Sequence, residues 1–257
     1  MIPSPPLRRA RLAANTSLAV LAAFLVAFAV DQAPVPALTA APASALGALP
    51  LPSFADATPL LADAEEKLSS TDEQARKEGT RELIDAIEAE WPADHRRAFL
   101  VAVAPGALTS AVEHCIPPSV TVGQAVLESG WGRSGLAKKH KNLFGMKAGR
   151  SSESVELPTT EVVLGKSQRS RQKFRRYDDY ADSLAHHGAL LATDPRYADA
   201  RPHWENWPRF LATVAPTYAT DPNYVRRVSR LVETYRLDEW DALVTRVARR
   251  RASCPDL

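Results

Sequence analysis

The chain has 257 residues, 45% of them hydrophobic and 24% charged, enough for one sizeable core and a minor second element. A formal net charge of +2 suits an anionic polymer or a membrane surface. No basic stripe with interleaved aromatics occurs, which excludes the usual nucleic-acid footprint. Residues 1–30 read as an export segment: Arg8, Arg9 and Arg11 precede an apolar core from Leu18 to Val30. That core has the length of a signal-peptide h-region and is short for a membrane span, which needs ~20 residues. Cleavage near Ala41-Pro42-Ala43 or Ala43-Ser44-Ala45 would release the chain, and without it the segment would serve as a membrane anchor. Residues 31–59, rich in Pro and Ala, read as a tether. Residues 60–92 form an accessory helical segment with Leu83, Ile84, Ile87 and Trp91 on one face and Pro92 as its stop.

The main domain is expected over residues 94–240. Its first helix, Ala98 to Val112, should break or kink at Pro105-Gly106. A second follows two prolines: Ser119 can cap it, and the positions from Val120 to Leu127 are almost all apolar or small, the mark of a buried helix. Glu128 closes it before Gly130, a natural stop. Burial and the negative end of the helix dipole both disfavour the charged carboxylate there, so Glu128 should keep its proton near neutral pH, as a general acid must.

The chain then turns through Gly130, Trp131 and Gly132 to Asn142-Leu143-Phe144-Gly145. Residues 149–177 alternate in polarity around a Gly165-Lys166 turn and read as a small β-hairpin lobe. Helices return over Tyr180 to Ala192, Trp204 to Val214 and Pro222 to Tyr235. Asp194-Pro195 and Asp221-Pro222 each offer an Asp cap with Pro at the first helical position. Residues 241–257 form a basic tail, with Arg246 to Arg251 as a solvated helix face or a contact to an anionic polymer.

The stretch carrying Gln124, Ala125, Leu127, Glu128, Ser129, Trp131, Gly132, Ser134, Leu136 and Ala137, then Asn142, Leu143, Phe144, Gly145 and Lys147, resembles the signature of the glucosaminidase domain of glycoside hydrolase family 73. Tyr218-Ala219-Thr220-Asp221-Pro222-Asn223-Tyr224 is similar to a second motif of that family, and the resemblance covers about Asp94 to Leu237. It implies an α+β, lysozyme-like fold, with a mostly helical lobe and a β-hairpin lobe flanking a groove. It also implies a peptidoglycan hydrolase acting as an endo-β-N-acetylglucosaminidase, working in the periplasm, the cell envelope or outside the cell.

Glycosidic hydrolysis usually takes two carboxylates. Glu128 fits the acid. The resemblance points to Glu161, in Thr159-Thr160-Glu161, as the second, with Glu156 next. Tyr218 is a third catalytic candidate by resemblance, the alternative being a helix-start tyrosine packed on Trp207. Gln124, Trp131, Asn142, Phe144 and Tyr224 are candidates for binding substrate, since aromatic rings offer pyranose C–H groups an apolar face. Core packing is the alternative for Phe144, and capping of the turn the alternative for Asn142.

The six histidines lack ligand spacing, so neither metal nor cofactor is expected. Cys115 and Cys254 permit a disulfide that would pin the C-terminal tail beneath the helix preceding Glu128. Two rival readings remain at this stage. One is a muramidase or lytic transglycosylase on the same architecture, and the other is a wall-binding or assembly module that holds glycan without cutting it.

Overall fold

The computed structural model describes residues 58–90, 94–149, 152–163 and 166–254. The export segment, most of the tether, Trp91, Pro92 and the Gly165 turn lie outside the described residues, as do the side chains of 159–169. The accessory segment is two helices, α1 (Thr58–Ser69) and α2 (Glu73–Glu90), packed on each other and buried through Ala64, Leu83 and Ile87. Helix α3 (His95–His114) starts where the Asp94 carboxylate accepts the N–H groups of Arg96 and Arg97, and it ends at Cys115 in the left-handed conformation.

Contrary to the expected break, α3 runs unbroken through Pro105 and Gly106. The glycine serves a close helix crossing instead. A Cβ at Gly106 would stand 2.8 Å from the Ala181 Cα of α6 (Tyr180–Thr193), and one at Gly188 of α6 would stand 2.1 Å from the Ser110 Oγ of α3.

Helix α4 (Pro118–Ser129) carries Glu128. Its nearly all-apolar surface is buried on every side by α3, by α8 (Tyr224–Thr234) and by α9 (Asp238–Arg251). Ser119 lies inside the helix rather than capping it, because Pro118 already occupies the first helical position. The cap comes from across the fold: the Ser119 N–H donates to Asp241 Oδ1 at 2.8 Å and its Oγ to Oδ2 at 2.6 Å. A helix whose own N-terminal residues offer no acceptor thus borrows one 122 residues away.

The residues expected as a basic tail form α9, so the expected boundary at 240 falls inside a helix. Trp240, Leu243, Val244, Val247 and Ala248 bury one face of it. Arg246 and Arg250 engage the buried Glu65 of α1, the latter at 3.0 Å. Cys115 and Cys254 form a disulfide closing a separation of 139 residues, which fastens the end of α9 beneath α3. By loop entropy such a link stabilises the fold by roughly 4–5 kcal/mol.

After α5 (Gly135–His140), the strands β1 (Ser154–Val163) and β2 (Lys166–Arg175) pair antiparallel as the expected hairpin. Its base is stitched to the preceding loop by Arg175 N–H to Met146 O at 2.9 Å and Ala148 N–H to Lys173 O at 2.9 Å, with Phe174 buried as the anchor.

The closing helices are shifted from expectation. Asp194 caps a 3₁₀ segment, Pro195–His203, as its Asp-Pro pair implies. Helix α7 spans Trp207–Tyr218, so Tyr218 ends a helix rather than starting one. Asp221 accepts the Asn223 N–H in a turn, and α8 begins only at Tyr224.

The borrowed cap is testable. Burial, reinforced by Asp238, pushes Asp241 up to about 7, although the two bonds from Ser119 oppose the shift. A carboxyl whose pKa rises on folding contributes fully at pH values below its unfolded pKa, and that contribution fades as the pH climbs through about 7. Asp241→Asn keeps an acceptor and cannot ionise, so it should match the parent at pH 4 and melt higher at pH 8. Asp241→Ala should melt lower than the parent at pH 4, because two Ser119 donors lose their partner at a cost of about 1–3 kcal/mol. Thermal unfolding followed by circular dichroism reads both.

Candidate active site

Glu128 sits one residue before the end of α4, and the chain leaves that helix by a tight reversal. Gly130 takes a φ of 58°, which L side chains rarely adopt. Ser129 holds the reversal together: its Oγ donates to Ala125 O at 2.5 Å and accepts the Gly132 N–H at 2.7 Å, while its carbonyl accepts the Ser134 N–H at 2.9 Å. Ser134 in turn caps α5 through the Ala137 N–H. The rim of the site is therefore folded directly onto the helix end that carries the acid.

Glu128 opens into a cleft of about 1010 Å³ whose walls include Phe144, Met146, Tyr197, Tyr218 and Tyr224. Burial raises its pKa above the ordinary carboxylic value, and a hydrogen bond from the Tyr224 hydroxyl and the charge of Arg227 oppose the rise. The Tyr224 hydroxyl also accepts from Gln124 Nε2 at 3.0 Å. Gln124, Tyr224 and Glu128 thus form a buried polar relay that fixes the carboxyl's orientation. Burial, then the neighbouring Tyr224 and Glu128, push Tyr218 well above the usual phenol range, so it stays a neutral phenol able to donate. Its ring lies 5.8 Å from that of Tyr224 and 5.7 Å from that of His187.

Behind this wall, His187 is fully buried and stacks on Phe144 at 3.9 Å. Burial pushes His187 down to about 3, so the ring is neutral at physiological pH.

The structure brings Glu128, Phe144, Tyr218 and Tyr224 together in the cleft wall, with Gln124 directly behind. Trp131 packs elsewhere, against His95, Phe99 and Tyr235, with the Arg96 guanidinium 5.7 Å above its ring. Asn142 is buried and closes its loop: Nδ2 donates to Met146 O at 2.9 Å and Arg175 O at 3.0 Å, and Oδ1 accepts the Met146 N–H. It ties the hairpin base to the acid-bearing lobe.

Glu156 is exposed and paired with Arg171 at 3.0 Å. Glu161 lies opposite Gln168 near the ribbon's tip, with the parity of Val155 and Leu157, and its side chain lies outside the described residues. Sequence reasoning passed over several residues that line the cleft: Arg133, Lys138, Arg196, Arg227 and Asp221. The Asp-Pro-Asn-Tyr turn was the available signal for Asp221, whose carboxylate is held low by the Asn223 N–H and by Arg227, 3.0 Å away.

Residues 104–237 match the family described as mannosyl-glycoprotein endo-beta-N-acetylglucosaminidase, the glucosaminidase domain, and the chain belongs to that family. Among curated relatives, the exo-glucosaminidase LytG of Bacillus subtilis is 37% identical over 154 residues, which are 58% of this chain and 54% of that protein. The peptidoglycan hydrolase FlgJ of Salmonella typhimurium is 30% identical over 178 residues, 65% of this chain and 56% of that one. The chain thus spans about half the length of these relatives. The catalytic domain of the autolysin Auto from Listeria monocytogenes superposes with a TM-score of 0.54 at 26% identity, covering 62% of this chain and 96% of that domain. The lysozyme-like α+β architecture agrees with that likeness, and the hairpin is the one sheet among the described residues.

Holding Glu128 in the cleft works against the fold. Because its pKa is raised on folding, its contribution is complete only below the ordinary carboxylic range and is lost as the pH rises. Glu128→Gln should melt higher than the parent at pH 8, by a margin that closes as the pH falls through the carboxylic range. Paired thermal melts at pH 4 and pH 8 measure it.

Proposed function

We propose that the chain hydrolyses the glycan strands of peptidoglycan as an endo-β-N-acetylglucosaminidase, with Glu128 as the general acid. The observation that carries this reading is the Glu128 carboxyl, half-buried in the wall of an open cleft with its pKa raised, in a chain of the glucosaminidase family. With its proton favoured by burial, it can deliver that proton to the departing glycosidic oxygen. The neutral phenol of Tyr218, beside Tyr224 in the same wall, can orient a water or the sugar's acetamido group. Phe144, buried and stacked on His187, shapes the cleft wall beside them. Glu161 is the proposed second carboxylate. It stands seven residues along β1 from Ser154, roughly 23 Å up the ribbon from its base, so it serves Glu128 only if the ribbon lies along the cleft.

The second reading is a muramidase or lytic transglycosylase, and one observation favours its transglycosylase form. Asp221, which lines the cleft with Glu128, is already committed to Arg227 and the Asn223 N–H, and a transglycosylase needs only the acid. Work outside the cytoplasm follows from the basic and apolar pattern of residues 1–30, whether cleaved or kept as an anchor, and from the Cys115–Cys254 disulfide.

Digestion of purified peptidoglycan by the full chain and by Glu128→Gln, with borohydride reduction and mass spectrometry of the new ends, decides between the readings. Reduced N-acetylglucosamine ends that fall at least a hundredfold in Glu128→Gln are expected, the scale on which general acids act. Muramic or anhydromuramic ends would move the assignment to the second reading. Strand binding without new ends would leave a wall-binding module.

A further inference from the structure

The cleft carries more positive charge than cutting a neutral sugar backbone requires. Its lining holds the cations Arg133, Lys138, Lys147, Arg196 and Arg227 against the carboxyls of Glu128 and Asp221. Arg196 is bound by Asp194, with three contacts between 2.7 and 3.2 Å, and Arg227 is bound by Asp221. Arg133 and Lys138 differ from these: among the described residues, neither side chain has an ion-pair or hydrogen-bond partner. Both are exposed, both line the cleft that Glu128 lines, and local main-chain bonds fix the backbone of each. The Arg133 N–H donates to Gly130 O at 3.2 Å, and the Lys138 N–H to Ser134 O at 3.0 Å.

Gly135, between them, also lines the cleft. It is the first residue of α5. Neither backbone nor packing asks for glycine there. It is absent from the positive-φ residues, unlike Gly130 and Gly145, and a Cβ built on it meets nothing within 4 Å. What its missing side chain provides is open room between two unneutralised cations in the wall beside the acid.

We propose that Arg133, Gly135 and Lys138 form a recess that receives a carboxylate carried on the side branch of the glycan. This deepens the reading of the chain as a peptidoglycan hydrolase and rests on it. The polymer's charge lies on its branches: each N-acetylmuramic acid bears a lactyl group whose carboxyl is either free or extended by a peptide that carries carboxylates of its own. An arginine just before the α5 cap and a lysine within that helix, both lining the cleft, can grip such a group in the strand lying across Glu128, and the glycine leaves room for the branch. The recess would let the enzyme favour charged strands over a neutral polymer of the same sugars.

The test reads binding separately from cutting. Fluorescence anisotropy of labelled strand fragments is measured on the Glu128→Gln chain, with and without Arg133→Gln and Lys138→Gln together. Three ligands are used: fragments with intact peptide branches, fragments stripped to the free lactyl carboxyl, and fragments whose carboxyls have been converted to amides.

The double substitution is expected to weaken binding of carboxylate-bearing fragments about tenfold and to flatten the salt dependence of Kd, while the amidated fragments bind both proteins alike. A loss confined to peptide-bearing fragments assigns the recess to the peptide, and a loss confined to stripped fragments assigns it to the lactyl group. Gly135→Leu should weaken the preferred fragment without changing the melting temperature by more than a degree or two, since nothing packs there. Equal losses on charged and amidated fragments, or no loss on any, would overturn the recess. Whether the unsubstituted chain cuts the same strands is scored separately and bears on the hydrolase reading alone.

Discussion

The carboxyl of Glu128 is held between two opposed influences. Burial in the cleft wall favours its proton, and the Tyr224 hydroxyl and Arg227 favour its charge. The acid role proposed for it depends on burial prevailing without the group being sealed away. The architecture serves that balance by fixing one short helix. Helix α4 is capped from α9 through Asp241, packed by α3 and α8, and ended by the left-handed Gly130, which turns the chain away and leaves the acid facing open space. A loosely held helix would let the carboxyl swing into water and return to an ordinary pKa.

Helices outside the stretch that matches the family contribute to this rigidity. The family match ends at 237, yet α9 supplies the cap, ties to α1 through Glu65, and is fastened by Cys115–Cys254. The packing of α1 and α2 against α3 and α9 makes a brace behind the acid-bearing helix. Accessory segments whose sequence shows no chemistry therefore bear on the proposed chemistry mechanically, by deciding how firmly Glu128 is presented.

Much of this was legible in the sequence wherever the physics is local. The apolar run before Glu128 announced a buried helix, Gly130 its stop, Asp194-Pro195 a capped helical start, and the alternation of residues 149–177 a hairpin. What stayed hidden depends on contacts far apart in the chain. The borrowed cap joins residues 122 apart and the Gln124–Tyr224 bond residues 100 apart, and no local pattern reports either. Pro105-Gly106 looked like a break because glycine and proline weaken helices locally, whereas the glycine answers a crossing with α6. Trp131 looked like a sugar platform by its neighbours in sequence, but the left-handed turn sends its ring to Phe99 and Tyr235. The two cysteines were countable, and only the fold could bring them together. The cationic wall was not legible because Arg133 and Lys138 are not among the residues that carry the resemblance and read as ordinary surface charge.

The account rests on the protonation of one carboxyl, and a titration of that carboxyl tests it most directly. Carbon-13 labelling of the glutamate side chains, with Glu128→Gln to assign the resonance, allows the Glu128 carboxyl to be followed by NMR from pH 3 to pH 9 in the parent and in Tyr224→Phe. The account predicts a midpoint above the ordinary glutamate value of 4.5 in the parent and a further rise in Tyr224→Phe, where the donor that stabilises the anion is gone. A midpoint at or below 4.5, or one that Tyr224→Phe leaves in place, would contradict it.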